Sequence, residues 1–245
     1  MKKSYAFFDV DGTLIHGKSM FGFHDFWYQS WVGVSTKAHR EEYEDVTAIL
    51  RVHQSSGSPR SVVNRRFYEM FAGRDVAEVT RCAQAWAQRE LAKPSFLIQE
   101  VVLELQSLRA KGVDPVFVSG SFMEVLTPIA QHLGVPHILA TQLLHDGQRY
   151  NGRFKHPQVI GAGKAVAIHD FVKERGAQLQ QCCAYGDDVS DVDMLEIVGN
   201  AVAVIGDPAL EVIAKRRRWT CLPIPVHPQG IFHRDGSPVS QGVSS

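Results

Sequence analysis

The sequence predicts an α/β protein in which helices cover both faces of a parallel sheet and a segment made only of helices is inserted near the start of the chain. After Pro94, short apolar runs alternate with helical patterns, which is typical of a parallel sheet buried on both sides. One further apolar run, residues 5–10, lies far ahead of the others. The stretch between them carries no strand pattern, so we expect helices to separate the first strand from the rest of the sheet.

The first strand is expected over residues 5–10, a short run of apolar and aromatic residues. It ends in Asp11-Gly12-Thr13, whose Asp-Gly pair is typical of a turn. The chain therefore leaves the sheet directly after this strand.

The segment that follows, from about Ser19 to Lys93, has the periodicity of helices. Apolar residues recur at helical spacing in two sets: Phe23, Trp27 and Trp31, then Tyr43, Val46, Ile49 and Leu50. Two more helices are expected over residues 59–72 and 75–91, with Pro59 in the first turn of the former and Gly73 at its end. The aromatic set is expected to form the core of this segment, and part of it would be able to close over a substrate.

The remaining elements alternate beyond Pro94. Helices are expected over residues 96–111, 123–133, 164–174 and 192–198, and strands over residues 113–118, 137–140, 182–185 and 201–205. Residues 143–154 differ, because Asp146-Gly147 between two short apolar segments predicts a hairpin appended to the sheet.

These patterns divide the chain into three parts. Residues 1–17 and 95–222 are expected to form the α/β core, residues 18–94 the helical insert, and residues 223–245 a loose tail rich in Pro, Gly and Ser. With 245 residues, 44% of them hydrophobic, the chain is long enough to bury a core and carry an insert.

Composition and charge exclude several classes of function. Lys and Arg number 26, as do Asp and Glu, so the formal net charge is zero and we expect neither nucleic acid nor a membrane as a partner. No apolar run is long enough for a membrane span, and Asp9 falls where a signal peptide needs apolar residues. The four cysteines are expected as free thiols, because none has CxxC spacing. These features predict a cytoplasmic protein and leave its oligomeric state open.

Polar residues follow the predicted apolar runs at four places. Because ligands bind at the carboxyl ends of parallel strands, we expect these places to meet in one crevice. They are Asp9-Val10-Asp11-Gly12-Thr13, Ser119-Gly120-Ser121, Gly163-Lys164 and Gly186-Asp187-Asp188-Val189-Ser190-Asp191. Taken singly, Asp9 and Asp11 are more typical of turn and capping residues, and Ser119 and Lys164 are equally typical of a helix cap and a solvated lysine. Their order along the chain favours a function.

The carboxylates of these stretches predict phosphoryl-transfer chemistry. Asp9 is placed to attack phosphorus, provided that a cation neutralises the charge that repels an anionic ester. Asp9 and Asp187 offer the oxygen ligands that Mg²⁺ prefers. Asp11 is the natural acid for the leaving oxygen and then the base for the hydrolytic water.

Donors for the phosphoryl oxygens are expected from Ser119, the backbone N–H of Gly120 and Lys164. Asp191 is expected to orient Lys164 or a metal-bound water. Asp188 stands beside Asp187 and competes for that role, and the GDxxxD spacing favours Asp191.

The four stretches resemble the motifs of the haloacid dehalogenase superfamily, in its order, over residues 5 to about 205. The resemblance implies a Rossmann-like three-layer core with a type-1 cap and is nearest to the phosphoserine-phosphatase-like branch, subfamily IB. It also implies a metal held by Asp9, by the backbone carbonyl of Asp11 and by Asp187.

The expected function is therefore Mg²⁺-dependent hydrolysis of a small phosphorylated metabolite through an aspartyl-phosphate. One rival is a phosphotransferase or mutase, in which the same intermediate passes its phosphoryl group to a hydroxyl. A second is a dehalogenase, which needs neither Asp11 nor Asp187. A third is a non-catalytic regulatory protein, which would be expected to lose the attacking Asp9 or the metal ligand Asp187, whereas both are present. Candidate substrates include phosphoserine, histidinol phosphate, a sugar phosphate or a biosynthetic intermediate.

Overall fold

The computed structural model describes residues 3–33, 36–56 and 60–224, the side chains of residues 49–56 and 60 excepted. Its strands are β1 (Tyr5–Phe8), β2 (Asp114–Phe122), β3 (His137–Thr141), β4 (Leu143–His145), β5 (Tyr150–Phe154), β6 (Cys183–Gly186), β7 (Asn200–Ile205) and β8 (Thr220–Pro223). Six of them form one parallel sheet in the order β3-β2-β1-β6-β7-β8. The predicted parallel sheet is confirmed.

The helices of the described residues are α1 (Ser19–Phe26), α2 (Lys37–Ser56), α3 (Arg60–Glu69), α4 (Val76–Leu91), α5 (Gln99–Ala110), α6 (Met123–Leu133), α7 (Ala162–Glu174), α8 (Val192–Glu196) and α9 (Pro208–Arg217). A π-helical turn, Trp27–Trp31, continues α1, and 3₁₀ turns cover Leu179–Gln181 and Val189–Asp191. None of these helices has both the length and the apolar character that crossing a bilayer requires.

Helices cover both faces of the sheet, as the pattern of β1 requires. All four residues of β1 are buried, and their side chains alternate between the faces. Tyr5 and Phe7 pack into a cluster that includes residues of α7, α8 and α9. Ala6 and Phe8 pack into a second cluster with residues of α5 and α6. The result is a three-layer α/β core.

Within the residues described, the elements between β1 and α5 are all helical: α1 to α4 and the π-helical turn that continues α1. Its apolar side chains are continuous with the α5/α6 face of the core, since the Phe23 ring lies 5.4 Å from the ring of Phe122 in β2. Phe23 and Trp27 are buried, as predicted for a core stripe, whereas Trp31 is 36% exposed. The stripe ends early because the π-helical turn shifts the four-residue register.

The predicted hairpin is present as β4 and β5, an antiparallel pair. It was expected as an addition to the main sheet and is instead a separate two-stranded sheet. The hairpin is tied to the helical segment, because Gly73 N donates to Tyr150 O in β5 and Val76 N donates to Gln148 O in the turn, each at 2.8 Å. The hairpin therefore links the core to the helical segment.

Several predicted bounds differ from the structure. β2 was expected to end at Val118 but continues through Ser119-Gly120-Ser121 to Phe122, with an irregular register against β3. Helix α9 ends at Arg217, in agreement with the helix end that the basic run of residues 215–218 predicts, whereas its start at Pro208 is not predicted. Strand β8 is not predicted, and it includes Pro223, which the sequence places in the tail. Pro59 and residues 225–245 lie outside the described residues.

Candidate active site

The polar residues expected to meet do lie at one edge of the sheet. Asp9 directly follows β1, Asp187 directly follows β6, and Ser119 lies near the end of β2, next to β1 in the sheet. Lys164 is in the first turn of α7. Since these strands are parallel, their carboxyl ends bring the side chains to one crevice.

Lys164 joins two carboxylates at the centre of the site. Its Nζ lies 2.6 Å from Asp9 Oδ1 and 2.6 Å from Asp191 Oδ1, and all three side chains are buried. Although burial by itself lowers the pKa of Lys164, the carboxylates of Asp191 and Asp9 outweigh this effect and raise it. Lys164 is therefore a permanent ammonium group, not the solvated residue typical of a first helical turn.

Asp187 is held by the loop that follows β1. Thr13 Oγ1 donates to Asp187 Oδ1 at 2.9 Å. Gly12 has a φ of 99°, and a Cβ at this position would lie 2.3 Å from Asp187 Oδ2. Only glycine suits both the backbone conformation and this close approach.

Asp11 is bound to the start of the helical segment. Its carboxylate accepts from Ser19 N and Ser19 Oγ, each at 3.0 Å, where Ser19 begins α1. Burial raises the pKa of Asp11 despite the nearby charge of Lys18. Lys18 Nζ donates to the backbone carbonyl of Asp11 at 2.7 Å. The carbonyl that the family resemblance assigns to a metal thus already faces one cation, and its second lone pair can face another.

Asp188 and Asp191, the two alternatives for the outer acidic residue, have different contacts. Asp188 caps the 3₁₀ turn that follows it, since its Oδ1 accepts from Ser190 N at 2.9 Å. Asp191 Oδ2 accepts from the backbone N of both Asp187 and Asp188 at 3.2 Å, while Oδ1 accepts from Lys164. Through Lys164, Asp191 is tied to the centre of the site.

The charges of the site fit a divalent cation. One carboxylate oxygen from each of Asp9, Asp187 and Asp191 lies within 4.8 Å of the other two. Burial, with the neighbouring carboxylates, raises the pKa of Asp187. Four carboxylates meet two ammonium groups here: Asp9, Asp11, Asp187 and Asp191 with Lys18 and Lys164. Full ionisation leaves two negative charges, which suits Mg²⁺ and its preference for oxygen ligands. Because both oxygens of Asp191 already accept hydrogen bonds, Asp9 and Asp187 are the better direct ligands.

The turn at the end of β2 is held from several sides. Ser121 N donates to Ser119 Oγ at 3.1 Å, and the hydroxyls of Ser121 and Ser19 are 2.8 Å apart. Three side chains donate to the carbonyl of Gly120: Tyr68 Oη at 2.5 Å, Thr141 Oγ1 at 3.0 Å and Asn64 Nδ2 at 3.3 Å. Ser119 therefore belongs to an extended network and does not cap α6, whose N-cap residue is Phe122.

Several residues of this network carried no recognisable signal in the sequence. Thr13 lies within the first polar stretch, but its contact with Asp187 spans 174 positions. Lys18, Ser19 and Tyr68 belong to the helical segment, where neither spacing nor composition distinguishes them. Their roles follow from how that segment packs on the sheet.

Comparison with known proteins gives one family and several relatives. Residues 6–196 match the model of the family described as haloacid dehalogenase-like hydrolase. A Mycobacterium tuberculosis protein named "Probable phosphatase" is 30% identical over 223 residues, which cover 90% of this chain and 75% of that protein. Phosphoserine phosphatase SerB1 of the same species is 28% identical over 87% of this chain and 68% of its own length. A histidinol-phosphatase of Neisseria meningitidis is 26% identical over 90% of this chain and 98% of its own.

The fold is similar to that of a solved protein of unknown function from Bordetella pertussis. The two superpose with a TM-score of 0.78 at 24% identity, over 91% of this chain and 99% of the other. At this identity the likeness concerns the fold alone.

Proposed function

The chain belongs to the haloacid dehalogenase-like hydrolase family, and we propose that it is a phosphatase that hydrolyses a small phosphorylated metabolite through a phosphorylated Asp9. The observation that carries the proposal is the buried group formed by Asp9, Asp187, Asp191 and Lys164, in which Lys164 lies 2.6 Å from Asp9 and from Asp191. A buried carboxylate with one oxygen fixed by an ammonium group is suited to attack with the other oxygen.

In the first half of the reaction, Asp9 Oδ2 forms a bond to phosphorus as the ester bond breaks. Asp11 gives its proton to the leaving oxygen, and its raised pKa keeps that proton available at higher pH than for an ordinary aspartate. In the second half, the Asp11 carboxylate takes a proton from the water that cleaves the acyl phosphate. Ser19 holds Asp11 in one orientation through both of its hydrogen bonds.

The phosphoryl oxygens need donors where their negative charge increases. Ser119 Oγ accepts from Ser121 N, so its own hydroxyl proton is directed elsewhere and is available to the phosphoryl group. Lys164 adds a fixed positive charge beside Asp9. Asp191 keeps Lys164 in place.

Asp9, Asp187 and the backbone carbonyl of Asp11 would hold Mg²⁺. When bound, the ion supplies positive charge that offsets the repulsion between Asp9 and an anionic ester. The close approach of carboxylate oxygens from Asp9 and Asp187, within 4.8 Å, supports this choice of cofactor.

The substrate class rests on the relatives. One is named for phosphoserine and another for histidinol phosphate, and both compounds are small phosphomonoesters that carry an amine. We therefore propose a phosphomonoester of this size as the substrate, with phosphoserine as the first compound to test. The cytoplasmic location stays a prediction, and the four free thiols agree with it.

The proposal is tested by measuring phosphate release from a panel of phosphomonoesters, with Mg²⁺ or with EDTA. We expect release only with Mg²⁺, and Asp9→Asn is expected to lower turnover on the order of 10⁴-fold or more. Asp193→Asn is the matched control, because Asp193 is exposed on α8 and the chemical change is the same.

Rapid acid quenching and mass spectrometry then test the intermediate. The peptide that contains Asp9 is expected to gain one phosphoryl group in the wild-type protein and none in Asp9→Asn. Full activity in EDTA, or substantial turnover by Asp9→Asn, would refute the mechanism. Phosphorylation without phosphate release, relieved by adding an alcohol, would indicate a phosphotransferase instead.

A further inference from the structure

We propose that Tyr68, in the helical segment, positions the phosphate donor Ser119 by fixing the orientation of the Gly120–Ser121 peptide. The proposal rests on the phosphate-binding role of Ser119 given above. It concerns a residue that does not itself contact the reacting atoms.

Three side-chain donors meet at one backbone carbonyl. The Gly120 carbonyl accepts from Tyr68, Thr141 and Asn64 at 2.5, 3.0 and 3.3 Å. Asn64 and Tyr68 are four residues apart on α3, so they project from the same face of that helix. A carbonyl has two lone pairs, so three donors are more than it needs for satisfaction alone.

The peptide plane transmits this contact to Ser119. In a trans peptide the carbonyl of Gly120 and the N–H of Ser121 lie in one plane and point in opposite directions. Donors that hold the carbonyl therefore also aim the N–H, which donates to Ser119 Oγ at 3.1 Å. With one lone pair used in this way, the Ser119 hydroxyl is left to donate its proton away from the turn.

The surroundings make the arrangement rigid. Tyr68 is fully buried, and its ring packs on Phe122 at 5.9 Å and on Phe154 at 5.8 Å. Burial raises the pKa of Tyr68, so its hydroxyl keeps its proton and remains a donor. A Cβ on Gly120 would lie 2.8 Å from Ile160 Cγ1, so Ile160 also packs closely against the turn.

The test is a double-mutant cycle between Tyr68→Phe and Ser119→Ala, with steady-state hydrolysis of phosphoserine as the readout. We expect Tyr68→Phe to lower kcat about tenfold with little change in KM, because a small misplacement of a donor affects the transition state most. Ser119→Ala is expected to lower kcat about 10²-fold. If Tyr68 acts through Ser119, the double variant is no slower than Ser119→Ala alone. Multiplication of the two effects would overturn the proposal.

Tyr150→Phe is the matched control. Tyr150 is also a buried tyrosine of the aromatic cluster, and its hydroxyl donates to Glu124 Oε1 at 2.6 Å and not to the Gly120 carbonyl. Its effect on kcat is expected to be the same in the presence and absence of Ser119. Asn64→Ala, which removes another donor to the Gly120 carbonyl, is expected to couple to Ser119 in the same direction as Tyr68→Phe.

A crystal structure of Tyr68→Phe separates failure of this proposal from failure of the proposed function. We expect the Gly120–Ser121 peptide to rotate and the contact between Ser121 N and Ser119 Oγ to lengthen. If the wild-type protein hydrolyses no phosphomonoester, the proposed function fails on its own while the crystal structure still decides the positioning role. An unchanged peptide orientation in Tyr68→Phe would overturn it.

Discussion

Replacing Lys164 with methionine is expected to destabilise the protein and slow turnover while strengthening the binding of Mg²⁺. The substitution keeps most of the side-chain volume and removes only the charge. Asp9 and Asp191 then lose the ammonium group that lies 2.6 Å from each. Both remain buried, and Asp187 lies close by, so three carboxylates are left within 4.8 Å of one another.

The size of the effect follows from burial. Breaking a buried ion pair by removing one partner costs about 3–5 kcal/mol, because the remaining charge stays uncompensated. For a chain of this length, 1 kcal/mol corresponds to a Tm change of about 2–4 °C. Lys164→Met is therefore expected to lower Tm by about 6–20 °C in EDTA. Mg²⁺ binds only the folded site and should restore part of this loss.

Thermal melts with and without Mg²⁺, calorimetric Mg²⁺ titration and steady-state kinetics measure the three effects. Lys173→Met is the matched control, since Lys173 is exposed on the same helix, α7, and its Tm is expected to change little. Turnover of Lys164→Met is expected to fall by about 10²- to 10³-fold.

Lys164→Met is expected to raise the affinity for Mg²⁺ and to lower the turnover rate. Removing a cation beside the carboxylates favours a metal ion there, and the same removal takes a positive charge away from the phosphoryl group. Weaker Mg²⁺ binding by Lys164→Met, or a Tm equal to that of the Lys173 control, would refute the electrostatic account of the site.

Two further predictions concern Asp191 and His24. Asp191→Asn is expected to lower kcat/KM about 10- to 100-fold, because Asp191 holds Lys164 in place. Asp188→Ala removes a helix cap and should therefore lower the free energy of unfolding by about 1 kcal/mol, while kcat/KM stays within about twofold of the wild-type value. Equal kinetic losses would contradict this distinction. Burial lowers the pKa of His24 to about 4 from its usual 6.5, so below pH 6.5 the unfolded chain binds a proton that the folded one does not. Stability is therefore lost as pH falls from about 6.5 to 4, by about 2 kcal/mol at pH 5. In urea denaturation, the free energy of unfolding of His24→Gln should fall less between pH 8 and pH 5 than that of the wild-type protein. An equal fall in both proteins would contradict this role of His24.

The sequence predicted the parallel sheet and the meeting of its polar stretches because both depend on local signals. An apolar run followed directly by charged residues is visible within a few positions, as at Asp9 and Asp187. Parallel pairing then brings such strand ends to one edge regardless of the details of packing. The helix Met123–Leu133 was predicted with its observed bounds, since its apolar residues follow the helical period throughout.

Features that depend on contacts between distant segments were not predicted. The end of β2 was placed at Val118, because the polar Ser119-Gly120-Ser121 interrupts the apolar pattern, although pairing with β3 extends the strand to Phe122. The four exposed or half-buried residues of β8 have no burial pattern of a strand, and pairing with β7 alone defines it. The hairpin was recognised from Asp146-Gly147, but its attachment to the helical segment depends on backbone hydrogen bonds at Gly73 and Val76.

The difference between local sequence signals and contacts of distant segments also explains which residues of the site could be predicted. The carboxylates Asp9, Asp11 and Asp187 closely follow strand ends and are recognisable there, whereas some of the residues that orient the site come from the helical segment. Ser19 holds Asp11 from the start of α1, and Tyr68 reaches Gly120 across 52 positions of chain. The helical segment thus contacts the site at the proposed proton donor and at the turn that carries Ser119. Displacement of α1 and α3 from the sheet would therefore break the Ser19–Asp11 and Tyr68–Gly120 hydrogen bonds together.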